Sequence, residues 1–226
     1  KNYPDMSNVK IIREEAFSYS GIETFTTPAS MELMDRPFTH SHCLESVTIT
    51  HKMDVYGYLA FADCPKLTSF VFHDDIENLN DAWYMFSGCT SLEEIRLPKK
   101  LKKIDRYMFD CCTNLKRLYI GDAITEIETG SVYGTALEEL HIEAATPPTQ
   151  KVSEGLINNP PFDKFAYENA TVYCPDAKAY YSNYMWQRFK KYKLPEAFKY
   201  TEVEGGYSAT YNLFDYVKDP TTGIDY

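Results

Sequence analysis

The sequence predicts a curved solenoid of short, stacked parallel β-strands, mostly β with little helix. Three observations predict it. One segment pattern recurs along the chain at a nearly constant period. Each recurrence carries apolar residues two apart, the spacing that puts side chains on one face of a strand. Hydrophobic residues make up 44% of the 226 residues, enough for an extended core.

The recurrence is read directly from "EEAFSYSGIETF" at Glu14, "LAFADCPKLTSFVF" at Leu59, "MFSGCTSLEEIRLP" at Met85 and "MFDCCTNLKRLYI" at Met108. An anchor position holds Phe17, Phe38, Phe61, Phe86 and Phe109, then Val132, at spacings of 21, 23, 25, 23 and 23 residues. A leucine-like column follows: Ile22, Leu44, Leu67, Leu92, Leu115 and Leu137. Next come Phe25, Val47, Phe70, Ile95, Leu118 and Leu140, and two residues further on Thr27, Ile49, Phe72, Leu97, Ile120 and Ile142. The period falls in the ~20–29 residue range of leucine-rich repeats. One such strand cannot bury itself, whereas stacked neighbours bury a continuous ladder. The predicted fold class is therefore a leucine-rich-repeat solenoid (α+β, mostly β). It has a curved parallel sheet on the concave face, short strands or turns behind, and a C-terminal capping helix. Apolar residues ahead of the anchors, such as Ile12 and Ile104, build the opposite wall.

About six repeat units are expected over residues 1–144, a terminal repeat with its capping helix over 145–194, and a tail over 195–226. The helix is placed at 176–192. Asp176 is its N-cap, because a carboxylate there accepts from free backbone N–H groups. Tyr181, Met185, Trp186 and Phe189 recur at helical spacing and give the face laid over the last coil. Lys190, Lys191 and Lys193 sit where the helix dipole favours cations. In the tail, two alternating segments around Gly205-Gly206 read as a β-hairpin.

The formal net charge is −10 and the pI about 5.0. Phosphate backbones and anionic membrane faces call for cationic surfaces, so neither nucleic acid nor a lipid surface is an expected partner. No stretch is long enough for a membrane span. The chain opens at Lys1 rather than Met, so a segment ahead of it is expected to have been removed, by signal cleavage or by truncation.

The phrases "AF..C..L..F.F", "MFSGC.SLEEIRLP" and "I...MF..C..L..L.I" resemble the BspA-like leucine-rich repeats of bacterial surface proteins. "ATPP" at Ala145–Pro148 and "TVYCPDAKAYYSNYMWQRFKKY" from Thr171 look like that family's terminal unit. The resemblance covers roughly residues 9–194. It implies an exported or cell-surface setting and a binding role, with adhesion proposed for several such proteins. It names no ligand.

Each candidate site also has a plain structural alternative. Cys64, Cys89 and Cys112 each follow an anchor Phe by three residues, so they form one column of buried thiols able to donate to a turn carbonyl. Cys43, Cys111 and Cys174 lie outside it. His40, His42 and Cys43 are possible soft-metal ligands, but they sit on a turn without a fourth ligand. The expectation is a solvated turn, with no metal and no cofactor. On the concave face the residues between the inward columns point outward: Thr26, Thr48, Val71, Arg96, Tyr119, His141, then Tyr173. Thr24, Ser46, Ser69, Glu94, Arg117 and Glu139 flank them. Arg96, Tyr119, His141 and Tyr173, with Arg117, Glu94 and Glu139, have the composition of a recognition patch; a merely solvated sheet surface carries equal weight. No G-x-S-x-G, H-E-x-x-H or phosphate-cradling loop occurs, so no catalytic residue is expected. The expected function is a non-enzymatic, monomeric scaffold, secreted or on the cell surface, that binds a protein partner in an adhesion role. The alternatives are glycan binding through the same tyrosines and a structural spacer.

Overall fold

The computed structural model describes residues 5–151 and 159–193; the expected hairpin in the tail lies outside the described residues. Along the chain run β1 (Ile11–Ile12), β2 (Thr24–Thr26), β3 (Leu33–Asp35), β4 (Ser46–Thr48), β5 (Asp54–Tyr56), β6 (Ser69–Val71) and β7 (Glu94–Arg96). They are followed by β8 (Lys103–Ile104), β9 (Arg117–Ile120), β10 (Glu126–Glu128), β11 (Glu139–Ile142) and β12 (Thr149–Lys151). Helix α1 (Lys164–Asn169), β13 (Thr171–Tyr173), helix α2 (Ala177–Tyr181), a 3-10 turn (Trp186–Arg188) and β14 (Lys191–Lys193) complete the described elements.

Eight of these strands form one parallel sheet in the order β14-β13-β11-β9-β7-β6-β4-β2. The back wall is two shorter parallel sheets, β1-β3-β5 and β12-β10-β8. The molecule is thus a parallel β-solenoid, the fold class the repeat predicts, and it has about eight turns. Each strand of the large sheet alternates: Phe25, Val47, Phe70, Ile95, Leu118 and Leu140 are buried, as are the leucine-like column and the column two residues on. Ile12 and Ile104 are buried in the back wall.

The anchor phenylalanines stack along the axis. Ring centroids lie 5.1 Å apart for Phe17–Phe38, 5.6 Å for Phe38–Phe61, 5.7 Å for Phe61–Phe86 and 5.5 Å for Phe86–Phe109. Those distances suit offset stacking. Val132 pairs with Phe162 across an isolated bridge, so Phe162 is the next anchor, 30 residues on. The sequence reading missed it because the insertion breaks the period.

The turns around each anchor have a second regularity. The residue two before the anchor has positive φ in the first six units: Glu15, Arg36, Leu59, Tyr84, Tyr107 and Gly130. So does the residue two after it: Tyr19, His40, Asp63, Gly88, Cys111 and Gly134. The paired bends aim alternate N–H groups along the axis. Each anchor N–H meets the carbonyl preceding the next anchor, as in Phe61 to Met85 (2.9 Å) and Phe86 to Met108 (2.9 Å). From His40 to Cys111 the residues two further on do likewise, as in Asp63 to Ser87 and Gly88 to Asp110. At Gly134 the carboxylate of Asp163 takes the carbonyl's place, accepting at 3.0 Å while its other oxygen caps α1 at Ala166.

The C-terminal cap differs from the expected single helix over 176–192. Asp176 is an N-cap, accepting from Ala179 N at 2.9 Å, but α2 ends at Tyr181, where Ser182 closes it. A turn then re-aims the chain, and β14 joins the large sheet beside β13. The buried aromatics are Tyr180, Trp186, Phe189 and Tyr192, and Tyr181 is only partly covered. Tyr180 donates to the Ala144 carbonyl and Trp186 Nε1 to that of Pro148, which ties the cap to the last coils. A 3.6-residue spacing here reflects a turn and a strand plugging the solenoid end, because the same residues can face inward from several short elements. Lys191 and Lys193 therefore belong to a strand and owe nothing to a helix dipole.

Candidate functional site

Parallel in-register pairing carries one residue of each strand into one row. The registers link Thr26, Thr48, Val71, Arg96, Tyr119, His141 and Tyr173, and β14 extends the row with Lys193. Two residues earlier, Thr24, Ser46 and Ser69 share a row, then Glu94, Arg117 and Glu139, continued by Thr171 and Lys191. The seven residues of the expected recognition patch, Arg96, Tyr119, His141, Tyr173, Arg117, Glu94 and Glu139, thus lie in these two rows. The two lysines were missed because their segment was read as helix.

The C-terminal half of the row is a stacked ladder. The Arg96 guanidinium carbon lies 3.6 Å from the centroid of the Tyr119 ring. Tyr119 stacks on His141 at 4.5 Å and His141 on Tyr173 at 4.3 Å, with interplanar angles of 17° and 4°. Strands ~4.8 Å apart bring successive rings close to stacking distance. Beside the ladder, Arg117 Nε donates to Glu94 at 2.9 Å, which holds the guanidinium above its usual pKa. His141 Nε2 and Glu139 Oε2 lie 2.9 Å apart. The rings brace one another, so their rotamers are set before any partner arrives. Both faces of the His141 ring are covered, and each of Tyr119 and Tyr173 has a face against it. A sugar ring laid flat on Tyr119, the arrangement the glycan reading requires, meets occupied faces on both sides; edges and hydroxyls are what the centre of the ladder offers.

Next to Arg96 the face opens into a depression of about 730 Å³, lined among others by Thr48, Thr50, Ser69, Val71, His73 and Arg96. β6 and β7 meet at one register pair, Val71 with Arg96, so the sheet gapes there.

The cysteine column is structural. Cys64, Cys89 and Cys112 are buried, and their thiols donate to the carbonyls of Phe38, Phe61 and Phe86 at 3.2, 3.1 and 3.0 Å. Ser41 fills the same position one coil earlier, donating to Phe17 at 2.8 Å. Burial pushes the Cys64 thiol up to about 12 and raises Cys89 and Cys112 strongly, so thiolate chemistry is suppressed. Cys174 is buried, while Cys111 is exposed. In the histidine turn, His40 stacks on Tyr19 and its Nδ1 lies 3.2 Å from Asp63. Among the described residues no group of three His, Cys, Asp or Glu side chains could hold a metal.

Fold and repeat together define a leucine-rich-repeat protein. The family model for the BspA type leucine rich repeat region matches residues 3–85 and 35–153 in six copies. The chain belongs to that family. It is similar to the crystal structure of a leucine rich cell surface protein from Faecalibacterium prausnitzii A2-165, with a TM-score of 0.54 and 19% identity over 75% of this chain and 44% of that one. It is also similar to a leucine-rich repeat protein from Bacteroides ovatus ATCC 8483, with a TM-score of 0.55 and 20% identity over 74% of this chain and 47% of that one. The chain spans under half the length of either structure. No curated protein is significantly similar in sequence. Among the described residues no helix is long and apolar enough to cross a membrane.

Proposed function

We propose that this protein is a non-enzymatic binding scaffold, secreted or displayed at the cell surface, that recognises a protein partner in an adhesion role through its concave face. The observation carrying the reading is the Arg96–Tyr119–His141–Tyr173 ladder, flanked by Glu94, Arg117 and Glu139. Arg and Tyr are the side chains that dominate protein hot spots, and bracing removes part of the entropy that binding would otherwise cost. The neighbouring depression offers room for an inserted side chain. Family membership and the surface protein from Faecalibacterium prausnitzii support the exported setting. An open face without a nucleophile and orienting base supports a non-catalytic role.

The test is a binding screen of the purified chain against host matrix proteins and a glycan array, beside the Arg96→Ala/Tyr119→Ala double variant. A protein hit lost in the variant supports the reading. A protein hit that survives it removes the concave face from the account, and no protein hit at all favours a spacer.

A further inference from the structure

The back wall carries a second constellation, on the side opposite the ladder. Tyr56 ends β5, and an isolated parallel bridge joins it to Asn80. With Tyr58, Trp83, Asp35, Arg36 and Asp81 these residues line a depression of about 360 Å³, inside the ~300–1,000 Å³ range of small-ligand sites. Tyr56 is 44% exposed and Tyr58 38%.

Which of these groups are already engaged decides what the depression can hold. Arg36 is used: it pairs with Glu14 and Asp35 and lies 5.7 Å from the Tyr58 ring centroid. One face of Trp83 is covered by Arg106 at 3.3 Å, and Tyr58 meets it edge-on at 6.4 Å. The Tyr56 ring has no aromatic or cationic partner among the described residues, and the side chains of Asn80 and Asp81 have no hydrogen bond or ion pair there. An open aromatic face thus sits beside an unengaged carboxamide and an unengaged carboxylate.

We infer that this depression is a binding site for a neutral saccharide, seated on Tyr56 and held by Asn80 and Asp81. A pyranose has one face of C–H groups, which an aromatic ring accepts, and a rim of adjacent hydroxyls. An amide both donates and accepts, and a carboxylate accepts from two donors, so the pair matches that rim. The carboxylate of Asp81 has no ion pair among the described residues and Asp35 lies in the same lining, so the depression opposes sialylated or sulfated sugars. The concave ladder lacks this combination at its centre, because both faces of Tyr119 and of His141 are occupied.

The chain has two tryptophans, which provide the readout and its control. Trp83 lines the depression, whereas the Trp186 indole N–H is buried on the Pro148 carbonyl. The probes are neutral tetrasaccharides (malto-, cello-, manno- and chitotetraose) and, as the acidic counterpart, sialyllactose, titrated while both indole N–H signals are followed by NMR. The expected result is that at least one neutral tetrasaccharide shifts the Trp83 signal and leaves Trp186 unmoved. Tyr56→Ala should weaken that binding at least tenfold and Asp81→Asn several-fold. Arg96→Ala/Tyr119→Ala should leave it unchanged, which separates this site from the concave face. Tyr56 and Asp81 are exposed, and unchanged Trp186 signals certify that the variants are folded. The inference is overturned if no neutral sugar moves Trp83, if binding survives Tyr56→Ala, if sialyllactose binds as well as the neutral sugars, or if only proteins from the matrix panel perturb Trp83.

Discussion

Replacing Cys89 tests how the coils are joined. Its buried thiol donates to the Phe61 carbonyl at 3.1 Å, and among the described residues no other donor reaches that oxygen. Alanine removes the sulfur, a loss comparable to a buried methylene at ~0.8 kcal/mol. It also orphans a buried carbonyl, at ~1–3 kcal/mol. A thiol is a weak donor, so the sum should fall at the low end, ~2 kcal/mol. Serine keeps a donor, and Ser41 already serves the Phe17 carbonyl at 2.8 Å from the same column. Cys89→Ser should therefore cost less, ~1 kcal/mol, chiefly from the shorter reach of oxygen. Urea unfolding followed by circular dichroism gives both values, with unchanged m expected if only stability moves. An alanine variant as stable as the serine variant would refute the assignment of the column as inter-coil donors.

Other consequences concern the turns, the thiols and a buried carboxylate. Gly88 has φ of +74°, and a Cβ there would meet Asp63 Oδ1 at 2.4 Å, so Gly88→Ala should lose ~1–2 kcal/mol in the same urea assay. Cys111→Gly, at the equivalent position with φ of +59°, should not destabilise. Thiol labelling of the native chain should modify the exposed Cys111 first, while Cys64, Cys89, Cys112 and Cys174 react only on unfolding. Prompt labelling of the column would contradict its burial. Burial pushes the Asp105 carboxyl up despite its contact with Lys103 at 2.6 Å. The native state then holds that proton to higher pH than the unfolded chain, so ionisation lowers stability as pH rises through the folded value. The stability of Asp105→Asn relative to wild type should rise as the pH climbs above the ordinary aspartate pKa of ~3.9, and melting curves showing a constant difference would contradict this.

The core columns were legible because each occupies a fixed place in a period, and strand alternation alone put Arg96, Tyr119, His141 and Tyr173 in one row. The same spacing implied that their rings must stack, a consequence that changes what they can bind. Phe162 was hidden by the long insertion after Val132. The positive-φ columns were illegible because Glu15, Leu59, Tyr84 and Tyr107 are not turn formers by type; the inter-coil hydrogen bonds impose the bend. The cap was misread because Tyr181, Met185, Trp186 and Phe189 satisfy a helical period while a turn and a strand place the neighbouring Tyr180 and Tyr192 inward. The back-wall site gave no periodic signal, since Tyr56 comes from a back-wall strand while Asn80 and Asp81 come from the next coil, which forms only an isolated bridge there.

For the tightest-binding matrix protein, the dissociation constant should be measured for wild type, for Arg96→Ala/Tyr119→Ala and for Thr26→Ala/Thr48→Ala at the far end of the same face. Two hot-spot residues at ~2 kcal/mol each or somewhat less correspond to a loss of ~100-fold or more. The ladder variant should lose that much and the threonine variant almost nothing. Equal losses in both, or none in the ladder variant, would contradict recognition through the stacked Arg–Tyr–His–Tyr row.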